Sequence, residues 1–201
     1  MNRVAYRLRR AAALLAFLLP ISLWLTACQT KDAFTTSPSR AENAGEWKVE
    51  KQVDRITSQP LSSAFVMTRA SNSMVDNLKS AQLQLLCFDK QPVVRFAFEF
   101  KIGAEQNSEF GYRFDDKAGH DNIAARILKG NNVAVIEDRA AVQRFVEELA
   151  SSRTLFVRVR SLNMGRTAAE FKVEQAQQAI DAAYANCPVG PSGTPRSSRA
   201  S

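Results

Sequence analysis

His120 is the only histidine in the chain, and it lies in the run Asp115-Asp116-Lys117-Ala118-Gly119-His120-Asp121. One imidazole with Asp115, Asp116 and Asp121 around it carries donor atoms for a metal ion. A transition metal asks for more nitrogen or sulfur ligands than this, and the acidic spacing does not fit a calcium loop. The run therefore reads as a polar, solvated loop between strands, and neither a metal nor a cofactor is expected. No serine stands in a Gly-x-Ser-x-Gly elbow, and no glycine-rich phosphate loop is present. Paired carboxylates for glycoside hydrolysis are defined by their separation in space. Nothing in the spacing marks Glu99, Glu109 or Asp115 as such a pair, and Glu147-Glu148 reads as the solvated face of a helix. No catalytic residue is assigned.

Cysteine carries the clearest chemistry. Arg3, Arg7, Arg9 and Arg10 precede an apolar stretch, Ala11–Leu23, which ends in Leu25-Thr26-Ala27-Cys28. A basic segment, a short apolar segment and small residues before a cysteine make a secretory signal. Pro20 interrupts the apolar run, which is shorter than the roughly 20 residues of a spanning helix. The last four residues match the bacterial lipobox. That match implies cleavage before Cys28 and lipidation of Cys28, including palmitate. Gln29 is not the aspartate associated with inner-membrane retention, so the outer membrane is the expected address, with the domain facing the periplasm or the cell surface. Several acyl chains hold far more firmly than one, since each buried methylene adds about 0.8 kcal/mol. Cys87 and Cys187 then remain. Two cysteines in an oxidising compartment are most simply a disulfide; the alternative is two unrelated buried thiols.

The net charge of +7 suggests nucleic acid until it is apportioned. The first 27 residues hold four arginines and no acid, leaving +3 on the mature chain, and Trp47–Cys187 carries +2. That is no nucleic-acid footprint.

The residues divide into a signal peptide over 1–27, a flexible Ser/Thr/Ala-rich tether over 28–46, one domain over 47–187, and a disordered Pro/Gly/Ser/Arg tail over 188–201. About 140 residues suffice for one core. Period-two alternation predicts strands at Trp47–Val53, Ala64–Arg69, Ala81–Cys87, Val94–Ile102, Phe110–Phe114, Leu155–Arg160 and Ala169–Val173. Shorter candidates are Ile123–Leu128 and Val133–Ile136. Asp138 caps a helix whose stripe is Ala141, Val142, Phe145, Val146 and Leu149. Ala176, Ala179, Ile180, Ala183 and Tyr184 mark a second helix, stopped by Pro188. The expected fold is α+β: a twisted, largely antiparallel sheet, one inserted helix and a C-terminal helix, both covering the apolar face. The phenylalanines read as core. Arg95, Arg113, Arg158 and Arg160 lie opposite the apolar faces, where they can meet an anionic partner or pair with Glu99, Glu109 and Glu170.

Trp47, Leu83-Gln84-Leu85-Leu86-Cys87, Tyr112-Arg113-Phe114-Asp115, the Asp138 cap, Phe171-Lys172-Val173, Ala179-Ile180 and Cys187 form a pattern over Trp47–Cys187. It resembles a family of small secreted bacterial envelope proteins that includes type VI secretion-associated periplasmic proteins and lipoproteins. The resemblance implies an antiparallel sheet with helices, a disulfide and an accessory envelope role. It carries over no catalytic residues, and the lipobox and Arg-containing tail depart from its soluble members. The functional expectation is a membrane-anchored binding module for an envelope protein or cell-wall component. Loops on a rigid sheet gather binding residues, which makes Tyr112, Arg113, Asp115, Asp116 and His120 the candidate docking residues. The alternative is an envelope hydrolase acting on glycan or peptide cross-links.

Overall fold

Alternating burial along the strands decides which face of the sheet is inside. A computed structural model describes residues 39–189. The signal segment, Cys28, the first part of the tether and most of the tail lie outside the described residues.

Eleven strands form one antiparallel sheet: β1 (Ser39–Ala44), β2 (Trp47–Val53), β3 (Pro60–Asn72), β4 (Val75–Phe88), β5 (Gln91–Phe98), β6 (Ser108–Phe114), β7 (His120–Ile123), β8 (Arg126–Ile127), β9 (Val133–Ile136), β10 (Thr154–Ser161) and β11 (Gly165–Lys172). Among the described residues two α-helices accompany it, α1 (Arg139–Leu149) and α2 (Ala176–Ala183), with one 3-10 turn at Glu105–Asn107. The main path runs β7-β6-β10-β11-β3-β4-β5-β9-β8, and β1 and β2 branch from β3. The fold is broadly α+β and dominated by the sheet.

The two edge strands of that path are neighbours in sequence. Only Ala124 and Ala125 separate β7 from β8. Three residue steps span at most about 11 Å, so the sheet must curl until its edges nearly meet. Inside the curl lie Phe96, Phe110, Phe171, Leu83, Leu85 and Leu155, all essentially inaccessible. A smaller cluster, Val93, Val133 and Val135 with Leu86, Ala97 and Leu128, forms apart from this core.

Asp138 starts α1 as expected, its Oδ1 accepting from the Ala141 amide at 2.9 Å. Val142, Phe145, Val146 and Leu149 turn inward. The Phe145 ring lies 5.0 Å from Tyr112, 5.1 Å from Phe114 and 6.0 Å from Phe96, so α1 fills the curl. The second helix packs where β2 and β11 diverge along β3. Trp47 Nε1 donates to the Val173 carbonyl there, and the Tyr184 hydroxyl donates to the Val93 carbonyl. Cys87, near the end of β4, is bonded to Cys187 beyond α2, with Cα atoms 6.0 Å apart. The disulfide thus pins the end of α2 to β4.

Four details differ from expectation. Residues 39–44, assigned to the tether, form β1 on β2. Gly45, at φ 62°, makes the tight turn between them, and Ala44 is buried. Composition concealed a hairpin that has few apolar residues of its own. The strand expected to reach Ile102 stops at Phe98; beyond it the chain leaves the ladder and the Ile102 amide donates to the Asn131 carbonyl in the loop before β9. The Ile123–Leu128 segment is broken into the ends of β7 and β8 by the corner that curls the sheet. His120, expected in a solvated loop, begins β7 and pairs with Tyr112.

Candidate functional site

A groove of about 330 Å³ opens over β6, β7 and β10. In the β6–β10 ladder Arg113 lies opposite Phe156 and Gly111 opposite Arg158. These four positions share the face turned away from the core, since Tyr112 and Val157 between them are buried. The third wall is β7. Its register on β6 slips between Phe110 and Tyr112, and Asn122 takes φ 49°. This is a bulge, which re-aims a strand near its edge. The slip brings His120 and Asp121 close over Gly111. A Cβ there would stand 2.9 Å from the His120 carbonyl oxygen and 3.1 Å from Asp121 Oδ1. Gly111 is thus required by close approach of the neighbouring backbone.

One wall of the groove is held from inside the fold. His120 Nε2 lies 2.7 Å from Glu148 Oε1, in the last turn of α1, and both side chains are mostly buried. The His120 ring sits 4.7 Å from that of Tyr112. Burial, and next the nearby Glu148 charge, push the Tyr112 hydroxyl up to about 12, so it stays protonated at neutral pH. Glu148, expected on a solvated helix face, instead clamps β7.

A lattice of charges on β6, β7 and β10 borders the groove. Arg158 meets Asp121 at 2.7 Å, and Arg160 bridges Asp121 at 3.7 Å and Glu109. The Arg158 hydrogen bond holds the Asp121 carboxyl below the usual range. Solvent screens exposed pairs of this kind, so they fix orientation more than stability. Arg113 is exposed, and no partner binds its guanidinium among the described residues.

Of the expected docking residues, Tyr112, Arg113 and His120 line the groove, while Asp115 and Asp116 do not. Asp115 accepts from the Thr154 amide at 2.8 Å, the Thr154 hydroxyl at 3.1 Å and the Arg153 amide at 3.1 Å. It fixes the start of β10 and does not pair with Arg113. Asp116 is exposed at the far side of that turn. The four potential metal donors are therefore drawn to separate partners: Thr154, Glu148, Arg158 and solvent. Sequence reading missed Phe156, which is 39% exposed on the polar side of β10. An aromatic residue at an outward position, between Leu155 and Val157, was the available signal.

The carboxylates set an acid limit. Asp115 is held low first by the Thr154 amide, Glu99 first by the Ser80 amide, and Asp121 by Arg158. A carboxyl lowered on folding stabilises the fold above its unfolded value, about 3.9 for aspartate, and loses that contribution as pH falls through the folded value. Thermal stability should thus fall as pH drops below about 4, with a shallower fall in Asp115→Asn. An unchanged slope in the variant contradicts this assignment.

Comparison with known proteins finds no matching family model, no matching curated protein and no matching solved structure.

Proposed function

We propose that this chain is a lipid-anchored outer-membrane protein of the bacterial envelope, and that it works as a binding module through the groove over β6, β7 and β10. The observation that carries the second half is the juxtaposition of Arg113 and Phe156. A cation with no partner among the described residues sits across one ladder step from a half-exposed aromatic ring. Such a pair suits an anionic group joined to an apolar one, because guanidinium supplies charge-assisted hydrogen bonds and the ring supplies contact area. The groove volume lies at the lower end of the range for small-ligand sites. The partner is an envelope protein or a cell-wall component that presents such a group. Its place beside a secretion apparatus, which the sequence resemblance suggests, is part of the same proposal.

The carboxylates favour binding over hydrolysis. Glu109 and Asp121 converge on Arg160, but both are exposed and ion-paired. A hydrolase needs one carboxyl raised toward neutrality by an apolar or like-charged setting, and Asp121 is shifted the other way.

The anchor is supported by the residues before Cys28 and is tested by metabolic palmitate labelling. Label should follow the wild-type chain into the membrane fraction and be absent from Cys28→Ala. Continued labelling and pelleting of Cys28→Ala overturns the anchor. The groove is tested by photo-cross-linking from position 156 in intact cells, where a discrete adduct is expected.

A further inference from the structure

We infer that the end of the sheet formed by the β2–β3 and β4–β5 turns rests on the bilayer that holds the anchor, with Ile56 and Phe88 in the lipid headgroup region. This rests on the anchor reading above and goes beyond it, since an anchor alone leaves the orientation of the domain open.

Three observations converge on that end. The first is where the chain enters. Ser39 pairs with Lys51, and Lys51 with Ser62, so β1 begins one or two residues inside this rim. The second is what the rim exposes. Ile56 is 86% and Phe88 70% accessible, and Val53 and Leu61 are also exposed. The β3–β4 register brings Ser63 opposite Leu86, which sets Leu61 beside Phe88 on the same face. The third is how Ile56 is presented. Asp54 Oδ1 accepts from the Ile56 amide at 2.7 Å and the Thr57 amide at 2.8 Å, while the Asp54 amide donates to the Gln59 carbonyl. This Asx-type turn fixes the backbone that projects an apolar side chain into solvent. Phe88 likewise precedes a two-residue turn in which Asp89 and Lys90 both take positive φ. Lys90 is exposed on the second of these turns, where anionic headgroups would meet it.

The far end also exposes apolar side chains, Met74 and Leu162. Chain length separates the two. From the level of Ser62 to Met74 is twelve residues of strand and turn, about 40 Å. The eleven steps from Cys28 to Ser39 span at most about 40 Å. To lay the far end on the bilayer, that link would have to run the whole length of the sheet fully extended. The near end needs almost none of it.

The test uses the full lipidated chain in vesicles of phosphatidylethanolamine and phosphatidylglycerol. An environment-sensitive fluorophore is placed on the single added thiol of Ile56→Cys, Phe88→Cys or, as the control, Met74→Cys. The native thiols are engaged in the disulfide and the lipid linkage. Nitroxide on the acyl chains should quench the labels at 56 and 88 several-fold more than the label at 74, and aqueous iodide should show the reverse order. If the chain floats with the vesicles but all three labels respond alike, the docking inference is overturned and the anchor stands. Labels at 56 and 88 shielded from iodide yet untouched by nitroxide also overturn it, by assigning this end to a protein contact. A chain that does not float with the vesicles overturns the anchor and this inference together.

Discussion

Phe145→Ala should lower the unfolding free energy by about 3–5 kcal/mol, the range for deleting a fully buried phenylalanine. Its ring is inaccessible and meets Phe96, Tyr112 and Phe114. It is also the residue through which α1 fills the curled sheet, so little else can collapse into the space. Geometry adds to area here, because the contacts with Phe96 and Tyr112 are edge-to-face. The substitution should reach the groove as well. Tyr112 supports the His120 ring, and Glu148, three residues beyond Phe145 on α1, clamps it. Denaturant unfolding measures the first effect. A loss below about 1 kcal/mol would mean that α1 is not seated in the curl.

Loss of the disulfide is the second large effect. The Cys87–Cys187 bond closes 100 residues of chain. In the chain-entropy model a loop of that length contributes about 4–5 kcal/mol, and measured losses of native bridges run about 2–5 kcal/mol. Replacing both cysteines by serine should fall within that range, and replacing one should cost at least as much. The effect should concentrate on α2, whose C-terminal end is tied to the sheet by this bond and by Tyr184 to Val93. Amide exchange in α2 should therefore rise more than in β10 and β11. Full alkylation of both cysteines in the oxidised native protein, without reductant, contradicts the bridge itself.

What could be read in the sequence follows from what is local. The Asp138 cap, the inward stripe of α1 and the alternation of Val94, Phe96 and Phe98 each depend on neighbours within a few residues, and each is found where expected. The Cys87–Cys187 bridge was legible from cysteine count and the expected compartment. Registers and corners were not legible. Nothing in residues 39–44 shows that they lie on β2, because their partner supplies the apolar side chains. The break at Ala124-Ala125 follows from where the two sheet edges meet, which is a property of all nine strands of the main path. His120 and Glu148 stand 28 positions apart and meet only because α1 fills the curl. Asp115 and Asp116 were grouped with Arg113 by proximity in sequence. The turn that follows Phe114 sends them instead toward Thr154 and solvent.

The central claim is that the groove beside Arg113 and Phe156 is a docking site. The most direct measurement places a photo-reactive phenylalanine analogue at position 156 of the full chain in intact cells and compares adduct yield in three backgrounds: unmodified, Arg113→Ala and Asp116→Ala. A hydrogen bond to a charged group contributes about 1.5–3 kcal/mol, so Arg113→Ala should cut the adduct at least about tenfold while its melting temperature is unchanged. Asp116→Ala, outside the groove, should leave both unchanged. Equal adduct yield in all three backgrounds, or a loss that merely tracks folded protein, contradicts the claim.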